Sequence, residues 1–269
     1  MITINDLSFR YKESTRNCFE HISLHVQDGQ ALGVIGPSQA GKTTFAYAVA
    51  GLIQKHFRGG SLTGQVIFGN HDQSFAPSEI GFVFQDASLQ LSGVTETVEE
   101  EIAFSLEQFG VPRETIKARI EEQLATFQLN GLRHRHPKTL SGGETQMLVI
   151  AGEAAKHPRL FILDEPTQAL DVDHIRRLVD CLHVAKRSST IIFIEQNLSA
   201  TVEICDHVLF LEKGRQLFSG TPQDMVNSTI DLSSLAMPEL IEIQRSIGRN
   251  HISLFFKETF QWMKSRTSA

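Results

Sequence analysis

The sequence has little cysteine: Cys18, Cys181 and Cys205 are three residues set far apart in a chain of 269. An odd, dispersed set excludes a disulfide framework and a cysteine-built zinc site, and it fits a reducing compartment. No apolar run approaches the ~18 residues that a membrane-crossing helix needs. Basic charge is also short, with 25 Lys and Arg against 31 Asp and Glu and a net charge of −6. With an isoelectric point near 6.0, a broad nucleic-acid surface is not expected. Internal repeats and low-complexity stretches are missing. The opening MITINDLSF alternates like a strand and lacks the charged-then-apolar layout of a signal peptide. What remains is an ordinary globular composition, 41% hydrophobic and 21% charged, enough for a full core in one or two domains. The expectation is a cytosolic chain unless a partner holds it to a membrane.

The sharpest local feature is ALGVIGPSQAGKTT, residues 31–44. Ala31 to Ile35 reads as a buried strand and FAYAVAGLI behind the motif as a helix. Between them, Gly36-Pro37-Ser38-Gln39-Ala40-Gly41-Lys42-Thr43 fits G-x-x-x-x-G-K-[ST], with Thr44 next. The glycines let backbone N–H groups crowd round a phosphate, and the helix N-terminus adds a favourable dipole. Lys42 suits the β- and γ-phosphates, and the Thr43 hydroxyl suits Mg²⁺. The motif implies ATP and Mg²⁺.

RLFILDEP, residues 159–166, delivers Asp164 and Glu165 at the carboxyl end of another buried strand. An Asp in that place holds Mg²⁺ through water in phosphate-loop NTPases. A second carboxylate beside it suits a general base that polarises the attacking water. A helix cap before Pro166 is the structural alternative.

LSGGE at 140–144 comes twenty-odd residues before Asp164. Ser141 is a good N-cap for a helix through TQMLVIAGEAAK, so Gly142 and Gly143 expose N–H groups at a helix start. This reads as a second anion cradle in one chain, with a simple capped helix as the alternative. Since one nucleotide needs only one, the second suits the nucleotide of a neighbouring molecule in a head-to-tail dimer.

The stretch TIIFIEQNL, residues 190–198, runs through five β-favouring residues into Glu195-Gln196-Asn197. In open α/β sheets the carboxyl edge of the strands is where ligands bind. Along the rest of the chain, ITINDLSF, ISLHV and QVIFGN alternate like an antiparallel layer, and IGFVF leads to Gln85. Residues 86–157 turn helical, with Val94, Val98, Ile102 and Leu106 at i, i+4 spacing. Strand–helix alternation resumes at 158–220, and Thr221-Pro222 opens a capped helix. The tail, 223–269, carries mixed helical signals with Ile252, Phe255, Phe256 and Met263 on one face. His134 and His136 lack companion ligands, so a solvated loop is expected there.

Together these motifs resemble the ATP-binding-cassette (ABC) ATPases over about residues 1–222. The resemblance is carried by Tyr11 in SFRY, GPSQAGKTT, Gln85 in VFQD, LSGGE, LFILDEP and QALD at 168–171, in matching order and spacing. It implies an α/β fold: a phosphate-loop RecA-like core with an antiparallel β layer, an inserted helical subdomain at about 86–157, and a C-terminal extension at 223–269. By the same resemblance Tyr11 stacks on adenine, Gln85 joins Thr43 and Asp164 at the Mg²⁺, and Glu165 is the catalytic base. Ser141, Gly142, Gly143 and Glu144 contact the partner's ATP, and Asp171 helps join two cassettes. A histidine follows the last strand in this family, bonding the γ-phosphate. Counting back from Asp206 puts Gln196 on that position. An amide still donates a neutral hydrogen bond but cannot gain charge.

FQDASLQLSGVTETVEEEIAF is similar to the cassettes of energy-coupling-factor (ECF) importers of vitamins and metal ions, which carry a second glutamine, here Gln90, after Gln85. That resemblance implies a second cassette subunit, a transmembrane coupling subunit, a substrate-binding membrane subunit, no nucleic acid, and a peripheral place on the cytoplasmic face of the membrane. The acidic run Glu99-Glu100-Glu101, on a helix expected from near Thr95, is a candidate seat for arginines of the coupling subunit, with a solvated charged face as the alternative. A non-transport ABC protein, or a cassette that binds ATP with weak turnover, are the readings left beside it.

Overall fold

A computed structural model describes residues 1–53, 60–69, 75–235, 241, 242, 244 and 254. Three strands are buried at every position: β3 (Ala31–Ile35), β6 (Leu160–Asp164) and β7 (Thr190–Glu195). Such unbroken apolar runs belong in the middle of a parallel sheet covered on both faces. They lie side by side in a nine-stranded sheet ordered β4-β1-β2-β9-β8-β3-β7-β6-β5. Here β1 is Ile2–Arg10, β2 Phe19–Val26, β4 Ser61–Phe68, β5 Ile80–Val83, β8 His207–Glu212 and β9 Arg215–Gly220. Strands β1, β2 and β4 pair antiparallel, as their alternating patterns predict. β8 and β9 form an antiparallel hairpin.

Register decides where the site falls. Ile35 pairs with Glu195 and Asp164 pairs with Ile194. The three strands therefore end level, and the segments that follow them (from Gly36, Glu165 and Gln196) open at one edge of the sheet. Behind the first, α1 (Lys42–Val49) starts directly at the lysine.

The helical insert lies between β5 and β6 and contains α2 (Val98–Glu107), α3 (Arg113–Thr126) and α4 (Gly142–Ala155). Val98, Ile102 and Leu106 are buried as their spacing predicts. Val94 is not: it is 73% exposed and outside the helix, because Thr97 is the N-cap, in a capping box with Glu100. The start expected near Thr95 is corrected accordingly. The acidic run is also already engaged. Glu99 accepts from Arg133 Nε at 2.5 Å, Glu100 closes the cap, and Glu101 accepts from Ser92 and Thr95. It holds the insert together and is not a free acidic face. His134 is exposed and lies 3.4 Å from Glu99, and His136 caps the turn at Pro137–Thr139.

After β6 come α5 (Val172–Ala185), α6 (Leu198–Ile204) and α7 (Pro222–Asn227), the last capped by Thr221. Leu232, Leu235 and Ile241 are buried in the same apolar cluster as the insert, α5 and α6, so the start of the tail packs on its own domain. Ile252, Phe255, Phe256 and Met263 lie outside the described residues.

Candidate functional site

Gly36 and Gly41 are required by close approach. A Cβ on Gly36 would stand 2.1 Å from the Leu211 carbonyl oxygen, and one on Gly41 (φ 97°) 2.7 Å from that of Cys18. The loop between them folds back on its own lysine. Lys42 Nζ donates to the carbonyls of Gly36 at 2.8 Å and Pro37 at 3.0 Å and lies 3.8 Å from Glu165 Oε1. Burial pulls the Lys42 pKa down, while Glu165, Asp164 and Glu195 push it back up. Thr43 Oγ1 donates to Asp164 Oδ2 at 2.7 Å. Burial raises the Asp164 carboxyl, and the Thr43 bond partly offsets it.

Glu165 sits just past β6 at φ 48°, in the left-handed region that non-glycine residues seldom adopt. Its N–H is tied to the Ile194 carbonyl at 3.0 Å. Each carboxylate oxygen accepts from an amide: Oε1 from Gln196 Nε2 at 2.6 Å and Oε2 from Gln85 Nε2 at 2.9 Å. Gln196 Oε1 accepts from Ser38 Oγ at 3.3 Å, and Gln85 also donates to Gln168 Oε1 at 3.3 Å. The end of β7 therefore faces both the phosphate loop and the carboxylate.

Gln85 stands beside the second carboxylate. Its amide is bonded to Glu165 and Gln168 and not to the Thr43–Asp164 pair. Tyr11 is partly drawn inward: its hydroxyl is 2.8 Å from Thr44 Oγ1, and its ring meets Phe9 edge-on at 4.8 Å. Glu195 turns into the protein, where it accepts from Thr167 N–H at 3.1 Å and Oγ1 at 2.6 Å. Burial raises its carboxyl above the usual range. Asn197 caps α6. The bonds of Thr167 to Glu195 and of Gln168 to Gln85 had no signal in the sequence, although Gln168 opens the QALD motif.

Ser141 caps α4. Its Oγ accepts from Glu144 N–H at 3.3 Å, and the Glu144 carboxylate accepts from Ser141 N–H at 2.7 Å. Glu144 is thus used by the cap instead of pointing outward. Gly142 faces open space, with nothing within 4 Å of where a Cβ would stand. Among the described residues no hydrogen bond or ion pair links 141–143 to the phosphate loop. Asp171 caps α5 and accepts from His174 N–H.

Beside the site a groove of about 900 Å³ runs past Gln85, Leu91, Glu101, Gln146 and Gln168. Gln146 is buried and its Nε2 has no partner. Gln90 buckles the segment before Gln85, accepting from Phe84 N–H at 2.7 Å and donating to the Phe82 carbonyl at 2.8 Å. Leu89 and Val94 stand exposed in the segment that follows β5.

Among the described residues there is no group of three His, Cys, Asp or Glu side chains placed to hold a metal. The Thr43 hydroxyl and the Asp164 carboxylate offer the oxygen donors of a hard cation that takes its remaining ligands from phosphate and water. No described helix is long and apolar enough to cross a membrane.

Residues 19–168 match the ABC transporter family. The chain is 35% identical to a Pyrococcus horikoshii protein provisionally named an ABC transporter ATP-binding protein, over 92% of this chain and 84% of that one. It is 34% identical to another so named from Caldanaerobacter subterraneus subsp. tengcongensis, where it spans 98% of itself but about half, 48%, of the relative. An energy-coupling factor transporter ATP-binding protein of Bacillus licheniformis is 32% identical over 88% of this chain and 84% of that one. Among solved structures, cbiO1 of Clostridium perfringens, part of an ABC transporter complex, superposes with a TM-score of 0.76 at 21% identity over 98% of both chains. An ATP-binding cassette solved as a dimer with ADP and phosphate gives 0.69 at 21% identity, over 82% of this chain and 99% of that one. The two likenesses at 21% identity establish the fold, an α/β cassette with a curled sheet.

Proposed function

Because the chain belongs to the ABC transporter family and is an ATP-binding, ATP-hydrolysing subunit tied to transport, we propose that it powers import of a small micronutrient, a vitamin or metal ion, as one cassette of an ECF-type transporter. The observation that carries the reading is the level ending of β3, β6 and β7, which gathers Lys42, Thr43, Asp164, Glu165 and Gln196 at one edge of the sheet. The name of the Bacillus licheniformis relative supports the ECF assignment.

In this reading ATP enters over Tyr11, and its phosphates take the N–H groups of residues 38–44. Lys42 exchanges the carbonyls of Gly36 and Pro37 for the β- and γ-phosphates, a stronger charge-assisted contact. Thr43 and Asp164, with Gln85 beside them, would hold Mg²⁺, which would supply charge neutralisation on the transferred phosphoryl group. Glu165 exchanges its two amide partners for a water that it orients and deprotonates. Gln196 donates to the γ-phosphate from the family's histidine position. Ser141, Gly142 and Gly143 close over the ATP of a second cassette, in a homo- or heterodimer joined through Asp171. The groove with the unpartnered Gln146 amide and exposed Leu89 and Val94 seats a helix of the transmembrane coupling subunit, which also binds the substrate-binding subunit. The chain is thereby held at the cytoplasmic face of the membrane. Residues 1–222 form the cassette and 223–269 an extension.

Gln196 favours one other reading, a regulatory cassette that binds ATP but turns it over weakly. Affinity capture of the chain from detergent-solubilised membranes of its source tests the first. A second cassette and a hydrophobic coupling subunit should come with it, and uptake should stop with Lys42→Ala. Capture without membrane proteins would sink the transport assignment.

A further inference from the structure

The segment from Glu165 to Asp171 touches both phosphate-seeking parts of the chain. At one end Gln168 shares Gln85 with Glu165. At the other, Asp171 Oδ1 accepts from His174 twice, from N–H at 2.9 Å and from Nδ1 at 2.8 Å. A carboxylate only accepts, so Nδ1 carries the proton and the ring orientation is set. That ring lies near the second glycine of the other cradle: a Cβ added to Gly143 would stand 3.7 Å from the His174 ring and 3.5 Å from the Ala169 carbonyl. The His174 side chain is 23% exposed against 68% for Asp171. The acid faces outward and the ring faces the helix.

We infer that His174 is a positioning residue that ties the dimer-facing Asp171 to the start of α4, and so governs hydrolysis at the partner's nucleotide rather than at this chain's own. This rests on the head-to-tail dimer proposed above. Anything that engages Asp171 from a second cassette acts on the same carboxylate that holds the ring. Moving the ring frees or presses the first turn of α4, where Ser141, Gly142 and Gly143 present their N–H groups. The geometry gives the neighbour's approach a direct route to the cradle that must close on the neighbour's ATP.

The test uses mixed dimers of differently tagged full-length chains, in which one protomer carries Glu165→Gln and only the other's site turns over. Absent turnover in this reference dimer would mean that the dimer reading itself fails, before His174 is touched. With the reference active, His174→Ala is placed on either protomer. On the Glu165→Gln protomer, which lends its α4 to the active site, it should lower kcat about tenfold, as expected for loss of a charge-assisted bond, with KM within about twofold. On the active protomer the loss should be several-fold smaller. His174→Phe keeps a ring against Gly143 but loses the bond to Asp171, and should act like Ala. His174→Asn keeps a donor near the Nδ1 position and should recover most of the rate. Equal losses on both protomers, no loss on either, or full recovery with Phe would each overturn the proposal.

Discussion

At residues 36–43 the glycine-rich loop is closed onto its own side chains, whereas at 141–143 the glycine-bearing helix start stands open. In the first, Lys42 is bonded to two loop carbonyls and Glu165 to two amides. In the second, Ser141 and Glu144 satisfy each other, and Gly142 meets nothing. Both present N–H groups at a helix start, the arrangement that attracts an anion. The difference lies in the charge that surrounds them. The first brings a lysine and two carboxylates into one place, where each is bonded by neighbouring groups of the chain. The second has one carboxylate, Glu144, which is taken up by the helix cap. Gathered charge of both signs demands partners within the chain, and a capped helix start does not.

The comparison breaks most sharply at Glu165. Glu165→Gln should keep ATP binding and cut turnover by about 10²–10⁴, the range of a lost general base, leaving closed dimers visible by size-exclusion in ATP. Unchanged turnover at saturating ATP would remove the carboxylate from its role. The open half is tested by Gly142→Val. A Cβ there would have nothing within 4 Å beyond its chain neighbours and its own helix backbone, so the melting temperature of the isolated chain should hold while dimer turnover falls more than about tenfold through steric exclusion of the neighbour's phosphate. A drop in melting temperature would show that the space is not free.

Gln196 gives a smaller and signed effect. One charge-assisted bond is worth ~1–3 kcal/mol, and roughly tenfold in rate lies at the lower end of that range. Gln196→His should therefore raise turnover about tenfold. Gln196→Ala should lower it with little change in ATP affinity, and no change from either would leave Gln196 as the end of a strand. The smallest effect is on stability. Burial holds the Asp164 carboxyl above its ordinary value. A carboxyl raised on folding stabilises the fold below its unfolded-state pKa, and that contribution is lost as pH rises through the folded value. Asp164→Asn should therefore raise the melting temperature of the nucleotide-free chain at neutral pH and flatten its acid-to-neutral decline. A lower melting temperature at neutral pH would mean that the Thr43 bond outweighs burial.

Much of the site was legible because its chemistry is local. Gly36, Gly41, Lys42 and Thr43 lie within eight positions, and their spacing is set by one loop and one helix start. Asp164 and Glu165 follow a strand that its apolar run makes plain. The insert was legible from the period of Val98, Ile102 and Leu106, but its first turn was misplaced because Val94 fits the period while Thr97 supplies the cap. The partners of the acidic run were not legible for a related reason. Charge is visible in a sequence, but Arg133, Ser92 and Thr95, which satisfy it, are brought in by folding.

The sequence alone determined which groups this protein brings to a nucleotide, since motif residues within a strand, turn and helix hold their spacing in any fold that keeps those elements. The tertiary structure decided which of them touch. Gln196 meets Glu165 from 31 residues away, and Gln85 from 80. His174 comes near Gly143 only because α5 packs beside α4. Such contacts follow from the register of β3, β6 and β7 and from the seat of the insert, and register is a cooperative property of the whole sheet that no single stretch encodes.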